Sequence, residues 1–562
     1  MTEPESLNVV IIDGYVDEPA HFGVPPYLST YPRYVAGALV AAGVNRQRIL
    51  YHTIDALRED RSRWRDVEDA DLLIYVGGMT VPGKYLGGTP AEPDEVQRLA
   101  WINRGVSVLG GPVRFGVGER NEGAMETERR DLDFDFVAKG DIEAAVYDLV
   151  STDLSEFGDR MRTTDEVTKW ARDGAFIVEQ HPNHPDHLIC EMETARGCPY
   201  RCSFCTEPLY GQPTFRPVSS IVAEVERLAE HGIRHFRLGR QADLLAYGGD
   251  NEKPHPPALE ALYSGIHSVT PRLKTLHLDN INPITIVRWP DLAREGLAII
   301  AHYNTPGDTA AFGLESADPV VQEANNLNVS AEECFEAVKI VNEVGGHQQS
   351  DDHRGLPKLL PGINFVHGLA EERSETYEHN FAFLERILDS GLMVRRINIR
   401  QVMAFAGTDM SSTGAAIAHE NKDLFRQYKQ QVRESIDRPM LKRVIPTGTI
   451  LGDVHVETHR NGTSFGRQLG TYPILVGIPG ERRIGAVYDI MVTDHGFRSV
   501  TGIPVPIDPN RTSLEELQTL PGIGKRRAGE ITINRPYRSI DDLNEVLDDP
   551  TIRQWFTIEV DG

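Results

Sequence analysis

Residues 194–205 read TARGCPYRCSFC and place three of the five cysteines of this 562-residue chain, Cys198, Cys202 and Cys205, in one short segment. Gly197 and Pro199 mark the segment as a loop, and it follows a strand-like run at 188–192. Thiols at C-x-x-x-C-x-x-C spacing in one loop can converge on a metal centre. A structural zinc or a closed cluster takes four protein ligands, so three thiolates leave one metal position open to a small molecule.

A zinc site completed by histidine is the alternative for this loop, because His181, His184 and His187 lie shortly before it. These histidines precede the strand rather than follow the loop, which favours the three-thiolate interpretation. Cys190 and Cys334 lie at no ligand spacing, and free cysteine behaves as a small hydrophobe. Both are predicted to be ordinary buried thiols.

The loop resembles the cluster motif of the radical SAM superfamily, including the aromatic Phe204 before the last cysteine, and the resemblance covers roughly residues 186–410. It implies that Cys198, Cys202 and Cys205 bind three irons of a 4Fe–4S cluster, and that S-adenosylmethionine (SAM) chelates the fourth through its amino and carboxylate groups. With an electron donor as partner, the cluster would then cleave SAM to methionine and a 5′-deoxyadenosyl radical, which abstracts hydrogen from a substrate.

Further residues resemble family positions that contact SAM. Gly239 and Gln241 follow the second barrel strand, where the family contacts the methionyl amine, although Arg240 and Gln241 replace the usual small residue and acid. Glu315 resembles a strand-end acid that faces SAM, and a surface carboxylate near a helix start is the alternative. Gly368 belongs to a segment that resembles the fifth strand, which packs on adenine, and a simple turn glycine is the alternative.

Strand-like runs and helical patterns alternate through residues 186–440, which predicts a full or partial TIM-like βα barrel with its chemistry at the carboxyl ends of the strands. The clearest helical pattern starts at Ser219 as N-cap and turns Glu224, Glu226 and Arg227 outward. The strand-like runs are 188–192, 235–238, 273–278, 298–303, 311–314, 363–366 and 394–399.

Residues 1–150 alternate short apolar runs, turn glycines and helical patterns, which predicts a Rossmann-like parallel α/β domain. The segments 31–39, 71–74, 109–112 and 139–143 resemble the cobalamin-binding-like domain that precedes many radical enzymes. Histidine ligation of cobalt would need a D-x-H-x-x-G loop, and DEPAHFG at 17–23 has the wrong spacing. Cobalamin is therefore a candidate cofactor without a histidine contact, and a docking domain that has lost the ligand is the alternative. Residues 151–185 are predicted to be a linker.

Residues 443–508 are short, β-rich pieces punctuated by glycine, which predicts a small β-barrel similar to a TRAM module, an OB-like nucleic-acid binder. This segment has six basic and six acidic residues, so its net charge is zero. A neutral barrel that packs on the mouth of the active site is the alternative. The candidates for nucleic-acid contact are Arg460, Arg467, Arg482 and Arg483, with Tyr472 or Phe465 stacking on bases.

Residues 511–562 are predicted to be helical, and LPGIGKRRA at 520–528 matches the hairpin of a helix-hairpin-helix. Gly522 and Gly524 let the backbone approach a ligand closely, and Lys525 and Arg526 add positive charge at a helix N-terminus. These four residues are predicted to bind the phosphate backbone of RNA or DNA. Such hairpins also serve as packing elements, and the segment has seven basic against ten acidic residues, a net charge of −3.

The chain carries 58 basic and 83 acidic residues, a net charge of −25, and eleven of the basic residues are lysine. An acidic, lysine-poor composition resembles proteins of halophilic archaea. At 1 M salt the screening length is about 3 Å, so net charge says little about partners there. No apolar run approaches the ~20 residues of a membrane span, and the acidic residues 1–6 do not resemble a secretory signal. We expect a cytoplasmic protein of several domains with no membrane partner.

The favoured hypothesis is a radical SAM enzyme that modifies a macromolecule, RNA above all, with cobalamin-dependent methylation as one version. The alternatives are a radical SAM enzyme acting on a small metabolite, and a non-catalytic nucleic-acid-binding protein with a structural metal cluster. Methylthiotransferases combine a radical SAM barrel with TRAM but carry three more cysteines ahead of the barrel. Residues 1–189 contain none, so sulfur insertion of that type is not expected.

Overall fold

The computed structural model describes residues 3–18, 21–78, 87–115, 117–121, 124–128, 132–250, 252–347 and 355–558. Pro19 and Ala20 of the 17–23 segment lie outside the described residues, as do the last four residues of the chain. In the described ranges, no helix has the length and apolar character that crossing a bilayer requires.

Short strands and helices alternate in the N-terminal region. Its helices are α1 (Thr30–Ala41), α2 (Ile54–Glu59), α3 (Trp64–Asp69), α4 (Pro93–Ile102), α5 (Ile142–Ser151) and α6 (Thr164–Asp173). Its strands are β1 (Val9–Asp13), β2 (Asp17–Glu18), β3 (His21–Phe22), β4 (Tyr27–Leu28), β5 (Ile49–Thr53), β6 (Leu72–Val76), β7 (Val106–Gly110), β8 (Val117–Asn121), β9 (Ala124–Glu128) and β10 (Phe136–Val137).

A parallel sheet in the order β5-β1-β6-β7-β10 forms the centre of this region. Val9, Ile11 and Ile74 pack on one face with residues of α1 and α5, while Val10 and Leu73 pack on the other with residues of α2, α3 and α4. Burial of both faces explains the continuous apolar runs of the central strands. The predicted Rossmann-like domain is confirmed.

Helix α6 lies within residues 151–185, the predicted linker, and is part of the packed structure. Trp170 of α6 is buried against α1, where an added Cβ at Gly37 would collide with the Trp170 backbone. The helix begins with a capping box between Thr163 and Glu166. This segment therefore attaches to the N-terminal domain instead of crossing solvent between two domains.

The middle of the chain alternates strands and helices. Its strands are β11 (Ile189–Glu193), β12 (Ala195–Arg196), β13 (Thr214–Phe215), β14 (His235–Gly239), β15 (Thr275–Leu278), β16 (Asp308–Glu315), β17 (Leu359–His367) and β18 (Arg396–Gln401). Its helices are α7 (Val218–Glu230), α8 (Pro256–Val269), α9 (Pro283–Arg288), α10 (Pro290–Tyr303), α11 (Pro319–Ala324), α12 (Ala331–Gly345), α13 (Ser374–Asp389), α14 (Gly414–Glu420), α15 (Lys422–Val432) and α16 (Arg438–Val444).

These strands form a partial TIM-like barrel, as predicted. One parallel sheet has the order β4-β11-β14-β15 and the other β16-β17-β18, and a bridge between Asn280 and Ala311 connects them. Strand β4 comes from the N-terminal region, so the first 30 residues already contribute to the barrel.

Two local predictions in this region are wrong. Residues 298–303 belong to α10 and not to a strand, because Ala293, Leu297 and Ile300 bury one helical face. A run of six residues was too short to separate the two periodicities. Helix α7 begins at Val218 after Pro217, so Ser219 lies inside the helix and does not cap it.

Glu224 of α7, predicted to face outward, is fully buried. It forms ion pairs with Arg33 of α1 and, at 2.7 Å, with Arg216. The N-terminal domain covers the face of α7 that the helical pattern assigned to solvent.

The small C-terminal barrel is closed by five strands in the order β19-β20-β21-β23-β22, as predicted. The strands are β19 (Ile450–Arg460), β20 (Thr463–Arg467), β21 (Leu475–Pro479), β22 (Val487–His495) and β23 (Ser499–Pro504). Helices α17 (Leu514–Thr519), α18 (Lys525–Ile533) and α19 (Pro550–Arg553) follow. Leu517 and Ile531 share a core with Met491 and Ile503, so these helices pack directly on the barrel.

Candidate active site

The cysteine loop leaves the carboxyl end of β11 and is closed at its base by the pairing of β12 with β13. Gly197 has φ +87°, and an added Cβ would lie 2.6 Å from the Gly211 carbonyl oxygen. The Cys198 N–H donates to that same oxygen at 3.2 Å. A glycine at 197 thus lets the two ends of the loop approach closely enough for this hydrogen bond to form.

A buried asparagine that the sequence analysis missed attaches the loop to the rest of the barrel. The Ser203 N–H donates to the Asn325 carbonyl oxygen at 3.0 Å, and the Ser203 hydroxyl donates to Asn325 Oδ1 at 2.7 Å. Asn325 Nδ2 donates to the Ala370 carbonyl oxygen, after β17. Phe204 packs beside these contacts on Val321, Leu369 and Val402. In this structure Phe204 fixes the loop to the barrel.

The three thiols lie in a poorly solvated place. Burial raises the pKa of Cys198 to about 11 and that of Cys202 to about 12, and it raises the pKa of Cys205 well above its usual range. The carboxylates of Glu207 and Glu315 act in the same direction. Cys202 and Cys205 thiolates would form readily only if a cation replaced the lost solvation, which metal binding does. The donor set therefore fits an iron–sulfur cluster.

Within the part of the chain that the structure describes, no three His, Cys, Asp or Glu side chains surround one point as the ligands of a single ion would. A single metal ion needs its ligands around one point. Each thiolate of a 4Fe–4S cluster binds its own iron, so the cysteines of a cluster need not meet at one point. His184 Nε2 contacts the His231 carbonyl oxygen at 2.6 Å, and His187 stacks on His455 with ring centres 4.6 Å apart. These histidines thus have partners away from the loop. Cys190 and Cys334 are buried, as predicted.

Glu315 ends β16 beside the cysteine loop, and its charge is one cause of the raised pKa of Cys202. Its φ of +62° turns the residue out of the regular strand. Burial raises the pKa of the Glu315 carboxyl to about 8, with Arg400 opposing the rise. Among the described residues, Oε2 has no hydrogen-bond partner. A buried carboxylate oxygen without a partner, close to Cys202 of the cysteine loop, fits the ammonium group of SAM.

Gly239 and Gln241, the two predicted SAM contacts after β14, both lie against other protein atoms. Gly239 is the last residue of the strand, and an added Cβ would collide with the Glu191 carboxylate. Gln241 accepts a hydrogen bond from the Thr194 hydroxyl and donates to the Leu238 carbonyl oxygen, both at 3.1 Å. Gln241 lines a shallow cleft that also reaches Cys198. Gln241 therefore lies next to the loop, with its amide already hydrogen-bonded to protein atoms.

Gly368 forms a buried turn at the end of β17. Its φ is +89°, its N–H donates to Glu372 Oε2 at 2.9 Å, and an added Cβ would lie 2.7 Å from Ala418 Cβ. The turn alone accounts for glycine at this position. Its contact with adenine stays a prediction.

The lumen of the barrel is polar. Arg237 forms ion pairs with Glu191 and Asp279, and all three side chains are fully buried. On β18, Asn398 donates to Asn364 Oδ1 at 2.9 Å, so alternate residues of this strand, including Arg400, face the same way. Arg400 was not predicted as a site residue, because an arginine in a strand has no distinctive spacing.

A loop of the small barrel, 469–473, closes the lumen at the end opposite the cysteines. The Thr471 N–H donates to His277 Nδ1 at 2.8 Å, and its hydroxyl donates to the Leu278 carbonyl oxygen at 2.9 Å. The Tyr472 ring lies 5.9 Å from the Arg396 guanidinium. Tyr472 thus faces the barrel and not an open groove, which contradicts its predicted stacking on bases.

The predicted nucleic-acid residues of the C-terminal helices lie on the surface. Gly522, Gly524, Lys525 and Arg526 are exposed, and the Arg526 side chain is 82% accessible. Helix α18 begins at Lys525 with Gly524 as N-cap. In the small barrel, Arg467 and Arg482 are paired with Glu457 and Glu516, so of the four predicted arginines only Arg460 and Arg483 are exposed.

The strand order of the N-terminal sheet reverses between β1 and β6, and sheets of this kind bind ligands in a crevice at the carboxyl ends of those strands. The Tyr75 side chain lies there, close enough that a Cβ added to Gly14 or Gly77 would collide with its ring or hydroxyl. A cobalamin tail in this crevice would have to displace Tyr75.

Comparison with known proteins agrees with the geometry of the cysteine loop. Residues 192–365 match the Radical SAM superfamily. These residues therefore form a radical SAM domain. Members of the superfamily use a 4Fe–4S cluster and SAM. The match therefore supports the interpretation of this protein as an enzyme.

Two relatives and one solved structure show how far the similarity extends. The uncharacterized protein MJ0274 of Methanocaldococcus jannaschii is 45% identical over 88% of this chain and 93% of its own length. The ribosomal protein uS12 methylthiotransferase RimO of Trichodesmium erythraeum is 23% identical over 56% of this chain and 66% of its own. The radical SAM methyltransferase TsrM of Kitasatospora setae is 15% identical, with a TM-score of 0.47 over 72% of this chain and 74% of that one.

Proposed function

We propose that this chain is a radical SAM enzyme in which Cys198, Cys202 and Cys205 bind a 4Fe–4S cluster and Glu315 binds the ammonium group of SAM. The observation that carries the proposal is the partnerless carboxylate oxygen of Glu315, buried close to Cys202, one of the three loop thiols. Bound together, the cluster and SAM supply reductive cleavage of the sulfonium, which yields methionine and a hydrogen-abstracting 5′-deoxyadenosyl radical.

The protein's own residues prepare this chemistry. Desolvation raises the pKa of Glu315 to about 8, so an ammonium beside it favours the ionised form and strengthens the contact. Loop 469–473 and the Glu191–Arg237–Asp279 ion pairs fill the far end of the lumen. Filling that end limits water beside a reactive radical.

For the substrate, we propose a macromolecule, with RNA favoured. The exposed hairpin at Gly522–Arg526 offers backbone amides and two cations at a helix start, which suits a phosphate backbone. RimO is named for action on a ribosomal protein. The absence of cysteine from residues 1–189 argues against methylthiolation by this chain.

A small metabolite is the second candidate substrate. It is supported by the seating of loop 469–473 against the barrel, because Thr471 bonds to two barrel residues and Tyr472 faces the lumen. In that arrangement the small barrel closes the far end of the lumen instead of binding nucleic acid.

Anaerobic reconstitution with iron and sulfide, followed by reductant and SAM, tests the proposal. We expect 5′-deoxyadenosine by mass spectrometry from the wild-type chain and none from Cys202→Ala. Cys190→Ala is the matched control, because it removes a buried thiol outside the loop, close to Arg33 and Glu224 and not to Glu315. Equal product from both variants, or zinc as the bound metal, would refute the cluster assignment.

The Glu315→Gln variant tests the SAM contact. Loss of a charge-assisted hydrogen bond costs about 1.5–3 kcal/mol, so the Kd for SAM should rise about ten- to a hundredfold in reconstituted protein. The free energy of unfolding should not fall, because Oε2 has no hydrogen-bond partner among the described residues that the substitution could remove. Glu323→Gln, on the exposed end of α11, is the control. Unchanged SAM affinity in Glu315→Gln would contradict the assigned role.

RNA binding is tested with the double variant Lys525→Glu, Arg526→Glu. If both cations contact phosphates, affinity falls and the slope of log K against log salt becomes shallower by about 1.4–1.8. Arg538→Glu, exposed in the same module, should leave the slope nearly unchanged. Absence of RNA binding by the wild-type chain would favour the small metabolite.

Spectral titration with cobalamin, repeated with Tyr75→Ala, tests the N-terminal crevice.

A further inference from the structure

Residues 139–143 of the N-terminal domain, a turn and the start of α5, contact the segment that leads into the cysteine loop through the buried Asp141. Asp141 accepts hydrogen bonds from both terminal nitrogens of Arg196, at 2.7 and 3.0 Å. Arg196 lies two residues before Cys198. Asp141 also accepts the Arg162 backbone N–H at 2.8 Å. One carboxylate thus holds the entrance of the cysteine loop against the N-terminal domain.

A second arginine extends this contact to the end of β11. Arg162 forms ion pairs with Glu143, two residues after Asp141, and with Glu193, the last residue of β11. The side chains of all three are at most 4% exposed. Buried charges of this kind persist only when each is paired. The domain and the strand that carries the cysteine loop therefore share one ionic network.

The network also reaches the far end of the loop. Arg240 donates to Glu207 at 2.7 Å and lies 4.0 Å from Glu193. Glu207 lies two residues after Cys205. The Tyr210 ring has the Arg196 guanidinium 5.1 Å and the Arg240 guanidinium 4.5 Å from its centre. Both ends of the cysteine loop are thereby connected, through ion pairs and contacts with the Tyr210 ring, to Asp141 and Arg162.

We infer that Asp141 and Arg162 are positioning residues: through Arg196 and Glu193 they fix the cysteine loop in the geometry that the cluster and SAM require. This inference rests on the proposed function. It gives the N-terminal domain a task that does not depend on cobalamin, since the contacts come from residues 139–143 and not from the crevice occupied by Tyr75. Neutral hydrogen bonds could fold the loop, but bidentate ion pairs also fix its direction.

The Asp141→Asn variant tests the inference by removing one charge at nearly constant shape. In anaerobically reconstituted protein we expect the EPR spectrum of the reduced cluster with SAM to change and the Kd for SAM to rise at least fivefold. Asp141→Glu should restore most of both. Asp148→Asn is the matched control, because Asp148 holds Arg160 through two bonds of 2.8 and 3.0 Å in the same domain without touching the cysteine loop.

Arg196→Lys provides a second test if Asp141→Asn does not fold. It keeps the charge and loses the bidentate geometry, so the same EPR and SAM changes are expected. If either variant only lowers the unfolding temperature and leaves the spectrum and SAM affinity as in Asp148→Asn, the positioning role is refuted while the proposed function stands. A wild-type chain that binds no cluster would overturn both.

Discussion

Gly197 shows how one backbone position controls the candidate site. Its positive φ and the nearness of the Gly211 carbonyl oxygen leave no space for a side chain. Gly197→Ala should cost on the order of 1–3 kcal/mol for the backbone conformation, and it must also separate the two ends of the loop. We expect the variant to fold but to retain less than half of the wild-type iron per chain, measured after reconstitution.

Gly391→Ala is the control for the backbone term in that experiment. Gly391 has φ +76° and open space around the position of a Cβ, and it lies between α13 and β18, away from the cysteines. It should lose stability yet keep its iron. Similar iron loss in both variants would mean that global destabilisation, and not closure of the loop, controls cluster binding.

Residue spacing predicted part of the site. The cysteines stand out by their spacing after a strand, and Glu315 by the resemblance of its strand end to the family. The structure brings Glu315 close to Cys202. Asn325 and Arg400 were not predictable in this way. Asn325 acts through contacts with Ser203 and Ala370, which are distant in sequence. Such contacts arise from tertiary packing, and a single asparagine carries no sign of them.

At the scale of elements, α7 shows where amphipathic patterning fails. The apolar stripe of Ile221, Val225 and Leu228 is buried as predicted. The polar face divides instead, because Glu224 is buried and Glu226 is exposed. A helical pattern assumes one apolar partner and solvent opposite. Here a second domain covers part of the polar face, and its Arg33, together with Arg216 just before the helix, replaces the water around Glu224.

Glu224→Gln tests the energetic weight of that contact. It leaves Arg33 and Arg216 buried without their carboxylate partner, and breaking a buried ion pair in this way costs about 3–5 kcal/mol. Glu226→Gln, two residues along the same helix, should change stability by less than about 0.5 kcal/mol. Urea unfolding followed by circular dichroism measures both. Equal effects would show that the Glu224 pairs contribute no net stability.

At the scale of the whole molecule, the fold of each domain was predicted more accurately than the contacts between the domains. The parallel α/β domain, the partial barrel and the five-stranded barrel are all present. The strand β4 pairs with β11, and α6 packs Trp170 on α1, so the N-terminal domain and the catalytic barrel are built together. Segment boundaries read along the chain cannot show this, because pairing between distant strands leaves no local signal.

The net charge of −25 makes a prediction for the whole chain in salt. Raising KCl from 0.01 to 1 M shortens the screening length from about 30 to about 3 Å, so mutual repulsion of the acidic surface falls and the unfolding temperature should rise. The buried pairs of Arg237 and Glu224 are screened much less and should not oppose this. Above 1 M little screening remains to be gained. A halophilic protein should nevertheless gain further stability up to 3 M KCl, whereas a plateau in thermal unfolding above 1 M would identify an acidic protein without salt adaptation.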